Sequence, residues 1–423
     1  MKYIEVYYSR QYPLYMALIK IIYNETFCID IFNWIFKILY NTMICRRCIM
    51  KIYEKAREFG LKHIEPYAAE IDKNARFPKE TFEALGKEGF LKMMVPKEYG
   101  GDGLTMQEHA EACMGFAEYC ASAGLCYMMH NVCLMVVLNH GSEELKKEVC
   151  EAIVNNNEFC ALAYSEFGTG THFYIPELKA EFRDGYTVIS GRKSMVTSAE
   201  QASYYLISAP SQKEGVTDNW LVPLKKEGVT FDMNEWNGVG MKGNVSCPMT
   251  LTNVKLEDKY MVGEPGTAID QIFGTVAPFF IVGLASVYTG LSLAMYEAAR
   301  KHAIDRVYPN GQGLIQIETV QIHLANLYNR SHAAKYFTFE AARAAANGEE
   351  DALPKILSAR INASEGAIEC AKWAMRIGGG KAYNGNGPLE RYMRDSYAGQ
   401  IMAPSVDVLI TWLGKAVTGQ DLI

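Results

Sequence analysis

The period of the hydrophobic pattern changes twice along this chain, and that change limits the fold more than any composition figure does. From Met50 to about Phe159 apolar residues recur at helical spacings, in 51–59, 78–90 and 106–126. A glycine-rich turn over 96–103 separates the last two. Residues 143–154 predict a further helix, capped by Ser142. The texture then becomes short and β-prone. Residues 180–190 alternate around an Asp184-Gly185 turn, and 204–209, 219–222 and 249–252 follow, separated by Gly, Pro, Asn and Asp. This predicts a compact antiparallel β domain. From Thr267 the helical period returns in 276–302, 317–346 and 352–373. The expected architecture is α+β: a helical domain over 50–160, a middle β domain over 161–266 and a helical bundle over 267–423.

Composition serves mainly to exclude. The chain carries 42 Lys+Arg against 48 Asp+Glu, a net charge of -6, which gives no general attraction for nucleic acid phosphates. Its 11 cysteines are odd in number and mostly sit in apolar helical runs, which points to free thiols in a reducing, cytoplasmic compartment. Cys45-Arg-Arg-Cys48 has no second pair to complete a zinc site, so no metal is expected. Residues 1–49 differ from the rest. Their apolar stretch is broken by Glu25, Asp30 and Lys37, which makes a poor membrane span, and they lack the parts of a signal peptide. They suggest an extension from an early translation start, with Met50 or a nearby codon as the true one; a membrane-surface anchor is the alternative.

Five motifs fall at the joints of the pattern. Ala163-Tyr-Ser-Glu-Phe-Gly-Thr-Gly-Thr-His172 opens the β region. Its small hydroxyls and glycines let backbone N–H groups approach an anionic or carbonyl-rich ring. Gly191-Arg-Lys-Ser-Met-Val-Thr-Ser-Ala199 follows the first β hairpin, and Gly238-Val-Gly-Met-Lys-Gly-Asn-Val-Ser246 forms a later turn. Arg306 ends a long apolar helix, with Tyr308 just after it. Arg376-Ile-Gly-Gly-Gly-Lys-Ala-Tyr383 is followed by Pro388-Leu-Glu-Arg-Tyr-Met-Arg-Asp395.

In this order the motifs resemble those of the acyl-CoA dehydrogenase family of flavoproteins, over about residues 50 to 420. The resemblance implies an α domain, a small β domain and a four-helix bundle enclosing an FAD. Ser165, Thr171 and Thr197 match the groups that hydrogen-bond the flavin pyrimidine edge. Met195 stands where a Trp usually lies against the ring, and a polarizable thioether can serve there. Arg306 matches an Arg that reaches the FAD pyrophosphate of a neighbouring subunit, a geometry that suits a guanidinium. Gly379 and Gly380 match the glycines that pass the adenosine diphosphate, with Arg376 in place of the usual Gln. Lys242 replaces Arg in the Gly238–Ser246 turn. Glu390, Arg391, Arg394 and Asp395 are expected to form a structural ion-pair network.

The implied reaction is α,β-dehydrogenation of an acyl-CoA thioester, or the reverse enoyl reduction. Hydride would move between Cβ and flavin N5, with an electron-transfer flavoprotein as partner and a homo-oligomer, a tetramer, as the assembly. The long apolar helix over 276–299 independently suggests an oligomer, because it is too hydrophobic to face water. The pattern fails at the base. Eight residues after Asp395 the family carries Glu; here Ala403 stands. The position used by a second branch is Phe280, and an Arg near the CoA is Ile281. Asp407, four residues after Ala403, is the substitute base expected from helical spacing, or else a residue that merely favours a helix N-terminus. Glu166 and Glu318 are read as structural. A flavin monooxygenase on the same fold and a degenerate flavin-binding scaffold are the alternatives.

Overall fold

The computed structural model describes residues 51–422 apart from Thr171, Phe173 and Asn386. The extension, its C-x-x-C pair and Thr171 therefore lie outside the described residues. Six helices come first: α1 Lys51–His63, α2 Glu65–Asn74, α3 Lys79–Lys87, α4 Met106–Ala117, α5 Ala121–His140 and α6 Glu143–Asn156. Thr105 and Glu108 form a capping box that starts α4, and Ser142 Oγ accepts from Leu145 N at 3.2 Å to start α6. The expected single helix over 106–126 is two. Cys120 is extended, with φ −154° and ψ 111°, and the chain re-enters helix as α5. Sequence periodicity misses the far end of α5 because the helix is apolar on every face: all of 121–134 is buried. His130, within it, uses both ring nitrogens. Nε2 donates to Leu91 O at 2.8 Å and Nδ1 accepts from Cys160 N at 3.1 Å, which ties α5 to the first strand.

The β domain has two four-stranded sheets. β1 Cys160–Leu162, β4 Tyr204–Pro210, β5 Thr217–Pro223 and β8 Met261–Val262 make one, in the order β1-β4-β5-β8. β2 Lys179–Arg183, β3 Tyr186–Val196, β7 Cys247–Glu257 and β6 Val229–Phe231 make the other, in the order β2-β3-β7-β6. The Asp184-Gly185 turn joins β2 to β3 as expected, with Gly185 at φ 77°. The expectation of a wholly antiparallel domain is corrected at one pair, since β1 runs parallel to β4. The 41 residues between them include the β2–β3 hairpin, enough chain to return in the same direction. The β3–β7 register slips between Lys193 and Val196, inside the segment that carries Met195 and Thr197.

The last part holds α7 Ala268–Gln271, a π-turn over Ile272–Val276, α8 Ala277–Asp305, α9 Glu318–Ala346, α10 Ala352–Tyr383, α11 Leu389–Ile401 and α12 Val406–Val417. α10 runs ten residues beyond its expected end and kinks at Gly379. Every residue of α8 from Ile281 to Met295 is buried, covered by α4, α5, α9, α10 and α11 of the same chain. This corrects one argument for an oligomer: the apolar length of α8 finds its partners at home. By length and composition α5 and the α7–α8 stretch could each cross a membrane, yet 89% and 78% of their most apolar windows are buried inside the fold.

Candidate functional site

The first two motifs meet side by side. Ser194 N donates to Ser165 O at 2.8 Å, so the loop after β1 runs along the end of β3. Lys193, one residue earlier, points the other way and is fully buried. Its ammonium pairs with the equally buried Glu166 and donates to Ser208 O at 2.9 Å. Burial pulls the Lys193 pKa down to about 8, against the pull of Glu166. Glu166 Oε2 also accepts from Glu177 N, so this carboxylate staples both ends of the loop that bears Ser165. Sequence reading assigned Lys193 no role, although it stands third in the Gly191–Ala199 motif, and that place was its signal.

In a regular strand Met195 would share the inward face of Lys193, but the register slip between Lys193 and Val196 breaks the alternation, and Met195 is 58% exposed. Thr197 is buried, and its hydroxyl lies 3.0 Å from Ser246 Oγ, which in turn donates to Asn244 Oδ1 at 3.1 Å. Ser198 N donates to Asn244 O at 2.9 Å, so the second and third motifs are bound together. Ser198 takes φ 62°, and its buried hydroxyl has only the Cys126 thiol as a hydrogen-bonding neighbour among the described residues. Ser165, Met195 and Thr197 thus sit on one loop-and-strand edge.

The remaining predicted residues gather elsewhere, in a cleft of about 490 Å³ at the ends of α8 and α10. Arg306, Arg376, Gly379 and Gly380 all line it. Arg306 lies over the Tyr308 ring, 5.5 Å from its centroid. Gly379 has φ 54° and ψ −145°, a conformation reserved for glycine, and a Cβ on either glycine would meet nothing within 4 Å. Arg306, Arg376 and Lys381 have no carboxylate partner among the described residues. Uncompensated cations over an open glycine turn suit a diphosphate. The residues present therefore fit an FAD, with the ring edge and the phosphate cleft supplied by separate parts of the chain.

At the base positions the structure is apolar. Phe280 is half-buried, and Ile281 packs in a core with Met106, Leu409 and Trp412. Ala403 lies between α11 and α12, and Asp407 is exposed in the first turn of α12, beside the buried Val406. Glu166, by its Lys193 pair, has the structural place expected of it. Arg394 binds both Asp72, in the pair with Oδ2 at 2.6 Å, and Glu390 at 2.7 Å, while Asp395 accepts from Met241 N at 2.5 Å, so these residues do form a network. Arg391 makes no ion pair within 4 Å among the described residues; it is attracted by Asp395 and hydrogen-bonds Tyr392.

A second buried cation was not foreseen. Arg360, on α10, is wholly buried, donates to Gly399 O at 3.0 Å and lies 5.1 Å from the Tyr288 ring centroid. Desolvation lowers its pKa to about 10, and its Nη1 has no partner among the described residues. It holds the C-terminal turn of α11, four residues before Ala403.

Sequence profiles of the acyl-CoA dehydrogenase N-terminal, middle and C-terminal domains match residues 50–157, 161–254 and 282–418. The chain belongs to the acyl-CoA dehydrogenase family. It is an FAD-dependent oxidoreductase acting on CH–CH bonds of acyl thioesters, as the motifs implied. It is 29% identical over 351 residues to the probable acyl-CoA dehydrogenase FadE25 of Mycobacterium tuberculosis, covering 82% of this chain and 89% of that one. It is also 29% identical over 349 residues to a 3-(aryl)acrylate reductase of Clostridium sporogenes, covering 81% and 91%. The solved butyryl-CoA dehydrogenase of Megasphaera elsdenii shares the fold, with a TM-score of 0.82 at 22% identity, over 88% of this chain and 98% of that one.

Proposed function

We propose that this family member works as an enoyl-thioester reductase, with FAD held at Ser165, Thr171, Met195 and Thr197 by its ring and at Arg306, Arg376, Gly379 and Gly380 by its phosphates. The observation that carries the direction is Ala403 together with Phe280. Dehydrogenation must pull a weakly acidic Cα proton away, which needs a positioned base. Reduction ends on a strongly basic enolate, whose protonation tolerates a weak or distant acid; that acid's conjugate base would serve the reverse step only poorly. When bound, FAD supplies or takes up the hydride. The chain's own part is to orient the thioester, exclude water through the apolar Phe280 and Ile281, and admit a proton at Cα. Asp407 is the proposed proton donor, four residues after Ala403 at the exposed start of α12. The relative named as an acrylate reductase supports this direction. Electron exchange with an electron-transfer flavoprotein, and a tetramer in which Arg306 serves a neighbouring subunit's FAD, complete the proposal.

The test is an anaerobic screen. Photoreduced enzyme is mixed with 2-enoyl thioesters, and oxidised enzyme with the saturated ones. Reoxidation by an enoyl thioester at least a hundredfold faster than bleaching by its saturated partner supports the proposal. Rapid bleaching by saturated thioesters refutes the direction. In the reductive half, Asp407→Asn should slow protonation roughly a hundredfold if Asp407 is the donor, with FAD content unchanged. An unaffected rate returns Asp407 to a helix-start residue.

A further inference from the structure

A second cleft, of about 1320 Å³, opens beside the cofactor cleft and shares His302, Asp305, Gly378 and Lys381 with it. Its other walls come from the last turns of α8, from α1 and the end of α4, and from three parts with no place in the cofactor cleft: α2, the turn at Lys242 and the start of α11. Its charges are unequally matched. Among the described residues Arg57 pairs with Glu118, Arg300 with Glu297, Lys301 with Asp305, and Arg394 with Asp72 and Glu390. Those pairs use every lining acid except Glu65. Lys73, Lys242, Lys381 and Arg391 have no carboxylate within 4 Å among the described residues, though Lys242 feels Glu390 and Arg391 feels Asp395 from farther off.

Arg391 is the informative member. It is only 8% exposed, and its buried Nε has no hydrogen-bond partner. Tyr392 takes a hydrogen bond from this guanidinium and Asp395 attracts it, but neither reaches Nε, and a buried donor left unpaired is costly, so Nε marks a place where an anion can complete the structure. Its planar fork suits phosphate oxygens, and the three lysines add mobile positive charge around it. The half-buried Tyr119 adds ring surface to the wall. The volume exceeds the roughly 300–1,000 Å³ usual for small-molecule pockets, so a nucleotide fits with room for water.

We propose that this cleft is a second anion site, adjoining the FAD cleft but using cations outside it, which takes a small phosphorylated molecule of nucleotide size through Arg391, Lys242 and Lys73. The site stands apart from the direction of catalysis and from the identity of the substrate. Calorimetry on the FAD-saturated protein, with ADP and with pyrophosphate as probes, tests it. At least one probe should bind, more weakly as salt rises. Lys73→Glu combined with Lys242→Glu should weaken it tenfold or more, with FAD content and melting unchanged. Arg391→Met should do the same, and the lysine pair carries the test if that buried substitution fails to fold. No binding of either probe up to millimolar concentration overturns the proposal. So does binding indifferent to the lysine pair but lost in Arg306→Gln, which would put the probe in the cofactor cleft.

Discussion

Gly379 and Gly380 are neighbours with opposite backbone demands, and that contrast gives a sharp prediction. Gly379 sits at φ 54°, ψ −145°, while Gly380 is helical. A methyl group on either would touch nothing within 4 Å, so packing drops out and only backbone and ligand effects remain. At Gly379 an alanine is strained by about 1–3 kcal/mol. Its stiffer unfolded chain returns about 0.4–1 kcal/mol, leaving a net loss of about 1–2 kcal/mol. At Gly380 the same change improves helix propensity by about 0.5–1 kcal/mol. Thermal melts of the FAD-free proteins should therefore move in opposite directions, down for Gly379→Ala and up for Gly380→Ala. If the diphosphate passes over this turn, both variants should lose FAD affinity, about tenfold or more, as read from flavin fluorescence. A more stable Gly380→Ala protein that binds FAD less well is the combination that identifies a ligand-facing glycine. Melting shifts of the same sign, or FAD affinity unchanged in both, would refute the reasoning.

Thr197→Val should weaken FAD binding by roughly 1 kcal/mol or more, seen as at least a fivefold higher dissociation constant; Ser246 keeps Asn244 as a partner, so the fold should survive. Burial raises the Asp395 pKa from 3.8 to about 6, so the folded chain holds a proton there that the unfolded chain releases. The stability from this group is complete below about pH 3.8 and is lost as pH rises through 6, about 3 kcal/mol in all. Asp395→Asn should flatten that slope in denaturant unfolding between pH 4 and pH 7, and an unchanged slope would mean that the group is not the source. Light scattering of the FAD-bound protein should give a multiple of the chain mass, and Arg306→Gln should weaken FAD binding without changing that mass. A monomer that retains FAD would sink the shared-cofactor arrangement.

The three-part architecture was legible because it rests on period, and period is written in the apolar residues themselves. What escaped was whatever breaks or hides period. α5 is apolar all round, so its end has no polar face to mark it. The parallel β1–β4 pair depends on where a long connection returns, which no local pattern encodes. At the site, glycines and short hydroxyl motifs could be read in one dimension because backbone approach needs particular residue types. Lys193 and Arg360 could not. A lysine in a strand and an arginine in a helix look solvated until tertiary packing buries them. An ionic network of Glu390, Arg391, Arg394 and Asp395 was foreseen as one unit; the place of Asp72 in it, and the unpartnered Nε of Arg391, emerged only from three-dimensional neighbours.

The burial of α8 within one chain sets an order on synthesis. α5 is complete at residue 140, but α8, which covers part of it, ends at residue 305. At about 5–20 residues per second the ribosome needs roughly ten to thirty seconds to make the stretch between. For that time the emerging helices carry sticky, uncovered surface with no mate yet translated. The nascent chain should therefore depend on holding factors near the exit tunnel, and a ribosome stalled between α6 and α8 should expose a protease-sensitive, aggregation-prone intermediate rather than a finished domain.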